Sequence, residues 1–391
     1  MYHTIVIGAG PVGSYSAEKL AKLGYKVLVL DKETSVGQDI CCTGIVGKEC
    51  LDMLAIDNSL IFKSSSSVRF FAPSGNSLRV WRNEPVAYVL DRPLLESKLV
   101  ERAQAAGADY LFGTQATDVQ LRKEGLCVGA DFGGQKKAFE SKTAVIATGF
   151  GSSLSRKLGM GKITDFIAGA QAEVKINSID EVQVYFDQRL APGGFAWLVP
   201  TRDNKGLAGL ITHKQPGTYI ETFLAKLKEQ NKIASTKVIA SYGAIPLRPL
   251  PRTYARRILV IGEAAGQVKP ITGGGIYYGL LCADIAVQTL HQASLAGDFS
   301  KSKLASYQKN WRAKLGKELR TGYWAHRLYC RLDNRQIERL YHLANNTDIS
   351  RFIAEMKGFS FDWHSNLILE ILKRLAFRYP VETGKTLAKH P

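Results

Sequence analysis

Strand-length apolar runs alternate with helical apolar stripes at the start of the chain. Residues 2–7 have the length and β-branched content of a buried strand, and Gly8-Ala9-Gly10-Pro11-Val12-Gly13 follows at once. Apolar residues then recur at helical spacing to about Leu23, and a second run over residues 26–30 ends in Asp31. The alternation breaks after residue 60. Val68-Arg69-Phe70-Phe71 and Leu78-Arg79-Val80-Trp81 read as short strands around the turn Pro73-Ser74-Gly75-Asn76. Ser64-Ser65-Ser66-Ser67 reads as a loop crossing between domains. A helix over 92–106, a strand over 109–112, a hairpin region over 116–139 and a strand over 144–147 restore the strand–helix order. Residues 167–244 are strand-rich, with strands predicted at 168–174, 181–186, 195–199 and 206–211 and one helix at about 219–230. A last buried strand, 257–261, leads to an apolar helix over 276–290, and from Ser300 the pattern is helical, with breaks at Asn345-Asn346 and Pro380.

The first sixty residues also carry chemistry. Gly8-x-Gly10-x-x-Gly13 sits between a strand and a helix, and an acid, Asp31, ends the next strand. This is the dinucleotide fingerprint in its required context. Gly8 permits the tight turn, Gly10 lets backbone N–H groups approach a pyrophosphate, and Gly13 lets helix and strand pack closely. Pro11 and Val12 complete the turn at the helix N-terminus, which stabilises an anion. Asp31, followed by Lys32, is placed to accept from a ribose hydroxyl. The far end of the chain selects FAD over NAD. After the strand 257–261 come Gly262-Glu263-Ala264-Ala265-Gly266, then Pro270-Ile271-Thr272-Gly273-Gly274-Gly275-Ile276. Glu263 can hold a ribityl chain or pyrophosphate, and the glycines let backbone lie against a flavin ring.

With these segments in view, the chain resembles the geranylgeranyl reductase family of flavoproteins, within the p-hydroxybenzoate hydroxylase-like group. The resemblance rests on GEAAGQVKPITGGGIYYGL, on DICCTGIVG at residues 39–47, on PGGFAWLVP at 192–200 and on LDRPLLESKL at 90–99. It implies an α/β fold, α+β overall. A Rossmann-like FAD-binding domain would come from 1–61, 89–164 and 255–298, and an antiparallel or mixed-sheet substrate domain from 62–88 and 165–254. A basic helical domain, 299–391, closes the chain. The resemblance implies reduction of carbon–carbon double bonds in a polyprenyl lipid. It places Cys42, Thr43 and Gly44 beside the flavin, with Cys42 as the active-site cysteine, and carries Arg92 to the FAD pyrophosphate. It makes Ala147, Thr148 and Gly149 part of the cofactor site, and makes Phe195 and Trp197 lining of the lipid site. Tyr277 and Tyr278, after the glycine loop, are further candidates for an apolar tunnel.

The chain departs from the family at two points. Thr148 stands where an acid is usual, which weakens direct NADPH reduction. Leu198-Val199-Pro200-Thr201 lacks the usual aromatic before the proline and the basic residue after it, which leaves head group and chain length open. No second nucleotide fingerprint occurs, so a ferredoxin-like reductant and NAD(P)H are equal candidates as electron donor. The alternatives to a reductase are an FAD-dependent monooxygenase of an aromatic or lipid ring and a non-catalytic flavin- and lipid-binding protein. For Cys41 and Cys42 the alternatives are a vicinal redox pair, which is strained, and simple packing.

Composition adds an anionic partner surface and removes other chemistries. The net charge is +17, and residues 299–391 hold 18 Lys/Arg against 8 Asp/Glu, a net of +10. No nucleic-acid motif is present, so nucleic acid is not expected; an anionic membrane face suits a prenyl-lipid enzyme, and a merely basic surface is the plain alternative. Ile368, Ile371, Leu372, Leu375 and Tyr379 fall at helical spacing with Lys373, Arg374 and Arg378 alongside, and Lys385 and Lys389 beyond. That pattern predicts a helix lying in a head-group plane, or one packed on the flavin domain. The chain begins in a strand without a signal-peptide pattern and has no spanning run, so a cytoplasmic protein, peripheral at most, is expected. Six scattered cysteines and seven dispersed histidines suggest no metal site and no Ser-His-Asp triad.

Overall fold

The computed structural model describes residues 1–38 and 40–378. Its first sheet runs β17-β18-β11-β1-β2-β8, from β1 (Tyr2–Ile7), β2 (Val27–Leu30), β8 (Asp109–Leu111), β11 (Gln135–Ile146), β17 (Tyr254–Ala255) and β18 (Ile258–Val260). The β1, β2, β8, β11 and β18 pairings are parallel, and both faces of the sheet are covered. Val6 packs with Val29, Val145 and Leu259 on one side, while Ile5 and Ile7 pack with Leu28 and Ile146 on the other. The first side is covered by α1 (Pro11–Lys22), α3 (Arg92–Ala105), α6 (Ile276–Leu295) and α7 (Lys301–Tyr329).

β11 departs from the expected hairpin followed by a separate strand. It is a single strand of twelve residues. Its first half pairs antiparallel with β10 (Leu126–Phe132), itself paired with β9 (Thr114–Leu121), and its second half runs parallel between β1 and β18. No turn residue separates Phe139 from Ala144, so the chain continues straight and changes partners.

The second sheet has seven strands in the order β16-β12-β15-β14-β13-β5-β6: β5 (Ser67–Phe71), β6 (Ser77–Trp81), β12 (Phe166–Lys175), β13 (Val182–Tyr185), β14 (Ala196–Pro200), β15 (Lys205–Thr212) and β16 (Ala240–Pro246). Only β13 and β5 pair parallel; the sheet is otherwise antiparallel. One face carries α5 (Pro216–Glu229), which buries Ile220, Phe223, Leu224 and Leu227 on it. The other face turns to the first sheet. A three-stranded sheet, β3 (Ile45–Gly47), β7 (Ala87–Leu90) and β4 (Ile61–Ser65), joins the two. The serine run is therefore not a long loop: Ser64 and Ser65 end β4, and Ser67 begins β5.

Short helices α2 (Lys48–Leu54) and α4 (Leu154–Lys157) flank the first sheet, and α8 (Asn334–Asn346), α9 (Ile349–Glu355) and α10 (Ser365–Arg378) follow α7. Asp333 and Gln336 close a reciprocal capping box at the start of α8. Among the described residues no helix is long and apolar enough to cross a membrane.

Candidate active site

The glycine turn joins β1 to α1 at the carboxyl edge of the first sheet. Gly8 has φ +113°, and a Cβ there would lie 2.3 Å from the Ala147 carbonyl oxygen. A Cβ on Gly13 would lie 1.9 Å from the Gly8 oxygen, so these two glycines are required by packing. Gly10 is different: a Cβ there meets nothing within 4 Å, because it faces open cavity. Val12 lies between Gly262 and Gly279, locking α1 to the β18 turn and to α6. The Asp31 carboxylate accepts from Ala9 N–H at 2.5 Å and Glu33 N–H at 2.8 Å, which fixes it at the mouth of the turn. Lys32 lies at the same rim, its ammonium 3.0 Å from Glu33 and largely in solvent.

Apart from Gly13 and Gly279, these residues line one end of a cavity of about 1660 Å³. Typical small-ligand sites are about 300–1,000 Å³, so there is room for a dinucleotide and a second, long ligand. Ala147, Thr148 and Gly149 continue the wall from β11, and Gly262, Glu263, Gly273, Gly274, Gly275 and Ile276 form the facing wall. α6 starts at Ile276 without a side-chain cap, which leaves its first-turn N–H groups for a ligand. Glu263 opens onto the cavity from a buried segment; burial raises its pKa, and Arg92 opposes that rise. A carboxyl that retains its proton more readily can donate as well as accept.

Arg92 starts α3 behind the Asp91 cap, whose carboxylate accepts from Leu94 N–H. Its guanidinium is 2.5 Å from Glu96, while its Nε is buried without a partner. Its stem packs against Gly44, which has φ +71° and no room for a Cβ. Cys42, Thr43 and Gly44 all line the cavity, and the Thr43 hydroxyl donates to Gln171 of β12 at 2.9 Å. The loop thus bridges the two sheets. Cys41 turns toward β16, its thiol 3.5 Å from the Ser241 carbonyl, and burial raises its pKa. Asp39, the first residue of this loop's motif, lies outside the described residues.

Beyond Cys42 the cavity becomes apolar. Phe195 and Trp197 share one face of the second sheet with ring centroids 5.8 Å apart, and Phe186 lies 6.1 Å from Phe195. Trp197 packs on Gly209, and its indole N–H is buried without a partner. Phe70 and Val184, together with Leu340, Ile353, Leu367, Ile368 and Ile371 from the C-terminal helices, complete this end. The sequence placed Val68–Phe71 in a strand but gave no sign that Phe70 and Phe186 line the site, since their facing depends on which sheet face the first sheet covers.

Five predicted site residues lie off the cavity, Gly13 among them, packed against the Gly8 backbone. Tyr277 and Tyr278 are buried behind it: the α6 axis points at the cavity, so these first-turn side chains project sideways. Tyr277 donates to Glu49 at 3.0 Å and Tyr278 to the Asp362 carbonyl at 3.1 Å. Gly266, with φ +72°, is pressed against the Arg248 carbonyl, and Pro270 packs on Gly322 of α7; both shape the loop from behind. The α10 stripe is divided. Ile368 and Ile371 face the cavity, whereas Leu372 is exposed with Lys373 and Arg374. The Leu375 and Arg378 side chains, Tyr379, Lys385 and Lys389 lie outside what the structure describes.

The residues present fit FAD. A fingerprint glycine faces open space, Arg92 Nε is orphaned, and an uncapped helix start meets a glycine cradle. The profile of the pyridine nucleotide-disulphide oxidoreductase family matches residues 2–185. The digeranylgeranylglycerophospholipid reductase of Methanocella arvoryzae is 31% identical over 342 residues, covering 82% of this chain and 86% of that one. Digeranylgeranylglycerophospholipid reductase 2 of Methanothermobacter thermautotrophicus is 30% identical over 366 residues, covering 89% and 93%. A solved geranylgeranyl bacteriochlorophyll reductase-like protein from Thermoplasma acidophilum superposes with a TM-score of 0.85 at 23% identity, over 99% of this chain and 98% of that one. Fold, cofactor cradle and end-to-end similarity agree: the chain belongs to the digeranylgeranylglycerophospholipid reductase family, within the geranylgeranyl reductase flavoproteins, and is an FAD-dependent oxidoreductase.

Proposed function

We propose that this enzyme hydrogenates isolated carbon–carbon double bonds in the geranylgeranyl chains of a glycerophospholipid. The observation that carries this is the continuity of one cavity from the fingerprint turn to a channel of aromatic and aliphatic side chains. Such a channel offers an isoprenoid only carbon contacts, which is all that such a chain can use. When bound, reduced FAD supplies the hydride for one alkene carbon. The chain's own residues do the rest. The first-turn N–H groups of α1 and α6, with Arg92, hold the anionic part of the cofactor. Phe195, Trp197 and Phe186 exclude water and align the chain, and an isolated alkene depends on that alignment because it is a poor hydride acceptor. The other alkene carbon takes a proton, and Cys42 Sγ, on the bridge between the two sheets, is the candidate donor, regaining its proton from water. Electrons reach the site from a ferredoxin-like reductant or from NAD(P)H. Mass spectrometry of prenyl phospholipids after anaerobic incubation with enzyme and dithionite tests this reading. Mass gains in steps of two hydrogens are expected. An unchanged lipid, with rapid NADPH oxidation and oxygen uptake on an aromatic substrate, would instead mark a monooxygenase.

Cys42→Ser is expected to keep FAD and to slow turnover on the order of 10²-fold, the lower end for a lost general acid. A serine hydroxyl is a far weaker acid than a thiol of pKa ~8.5. Cys41→Ser, on the β16 side of the loop, is expected to be much milder. Single-turnover reduction of the lipid by the photoreduced enzyme measures both, and unchanged turnover in Cys42→Ser returns that thiol to packing.

The reading extends to the membrane. α10 lines the channel with Ile368 and Ile371 and presents Leu369, Leu372, Lys373 and Arg374 outward. We propose that this face rests on anionic lipid, from which the substrate tail enters. Each basic residue near such a surface is worth ~1 kcal/mol, and reversing it adds a comparable repulsion, so Lys373→Glu and Arg374→Glu are expected to weaken binding to anionic vesicles by roughly thirtyfold each. Co-sedimentation at low and high salt reads this out, with FAD content unchanged. Vesicle binding indifferent to both reversals excludes this face.

A further inference from the structure

Three side chains from distant parts of the sequence meet away from the flavin cavity. His213 follows β15, while His326 and Cys330 lie one turn apart at the end of α7, with Cys330 N–H donating to the His326 carbonyl at 2.9 Å. The two Nε2 atoms are 3.3 Å apart, and Cys330 Sγ is 3.5 Å from His213 Nε2 and 3.3 Å from His326 Nε2. With metal–nitrogen bonds of ~2.0–2.1 Å and metal–thiolate bonds of ~2.3 Å, tetrahedral ligand pairs stand about 3.3 Å (N to N) and about 3.6 Å (N to S) apart. The observed triangle therefore matches three corners of such a tetrahedron.

We infer that His213, His326 and Cys330 form a binding site for a zinc-class divalent cation that clasps the end of α7 to the second sheet. The parts around the triangle are consistent with a built site. Gly193 is required beside it, because a Cβ there would lie 2.4 Å from His213 Cδ2. The His213 N–H donates to the Pro192 carbonyl at 3.1 Å, which fixes the loop. Each imidazole would bind through its Nε2 as the neutral ring. Cys330 binds as thiolate, releasing its proton to water. That thiolate and the Asp165 carboxylate at the same small cavity supply two negative charges to a dication, and Arg327 and Arg331, which also line it, oppose them. His213 is exposed and gives the ion an entry path. The fourth position is left to water. His326 and Cys330 are spaced i,i+4, a ligand spacing on one helix face; pairing them with a histidine 113 residues away requires the fold.

The clasp lies next to the lipid channel. Tyr329 and Leu332, on either side of Cys330, line the cavity, and Tyr329 meets Phe186 edge-on at 5.8 Å. The test uses the full chain with FAD bound, stripped of metal by a chelator and titrated with Zn²⁺ or Co²⁺ alone. One ion per chain is expected, and cobalt should give tetrahedral visible bands with a near-ultraviolet thiolate charge-transfer band. Cys330→Ser should abolish the charge-transfer band and weaken Zn²⁺ binding on the order of a hundredfold, since a lost ligand costs at least as much as a lost supporting contact. Cys127→Ser, far away on β10, should change nothing. Retained flavin absorbance verifies that each variant is folded. If His326→Ala fails to fold, the wild-type cobalt spectrum and Cys330→Ser still decide. Absence of the thiolate band in the wild type, or full Zn²⁺ affinity in Cys330→Ser, overturns the site and leaves a hydrogen-bonded triad only.

Discussion

Gly10→Val should purify folded and colourless. Its backbone, at φ −62° and ψ 176°, is one that valine adopts freely, and its Cβ would meet nothing in the protein. The new side chain would instead occupy the approach to the α1 N-terminus, where the pyrophosphate must come within hydrogen-bond reach. Losing two charge-assisted hydrogen bonds at about 1.5–3 kcal/mol each amounts to roughly 3–6 kcal/mol. That is a factor of about 10²–10⁴ in Kd. Gly13→Val should fail in another way, because its Cβ collides with the Gly8 carbonyl oxygen and separates helix from strand. Flavin absorbance after gel filtration and far-ultraviolet circular dichroism distinguish the two outcomes. A yellow Gly10→Val protein would mean that the cofactor does not approach this turn.

The contrast between those glycines also shows what a sequence can and cannot display. The fingerprint is local: strand, turn, helix and acid fall within 31 residues, and each position has a short-range reason to be what it is. The same holds for the glycine loop at 273–275 and for the loop of Cys42. What the sequence hides is facing. Tyr277 and Tyr278 sit beside the glycine loop along the chain, yet the direction of the α6 axis turns them toward Glu49 and Asp362. The α10 stripe has the period of a surface helix, yet Ile368 and Ile371 face the cavity. Phe186, just past the end of β13, and Leu340, on a helix 154 residues later, line one channel through tertiary packing alone. β11 reads from sequence as a hairpin arm followed by a separate strand, because its polar first half is exposed and its apolar second half buried, although nothing in the chain breaks there.

Asp362→Ala should be the most damaging single substitution outside the fingerprint. Asp362 and Lys269 are 1% and 4% exposed, and the Lys269 ammonium contacts Asp362 Oδ1. The pair ties the segment before α10 to the loop that carries the cavity-facing glycines: Gly273 N–H donates to the Lys269 carbonyl at 2.9 Å, and Lys269 N–H to the Gly274 carbonyl at 3.1 Å. Removing the carboxylate strands an ammonium among Tyr278 and Phe361, whose rings lie 5.5 and 5.2 Å from it. Breaking a buried pair in this way costs about 3–5 kcal/mol. The pair itself contributes far less than that, because both charges were taken out of water to form it. Lys269→Met combined with Asp362→Leu is therefore expected to regain at least half of the loss. Denaturant unfolding of the FAD-bound protein measures all three variants. A cost below about 1 kcal/mol for Asp362→Ala would show that the ammonium finds water on the cavity side, and a double variant no better than the single would show that the segment is held by its backbone bond to Tyr278 rather than by charge.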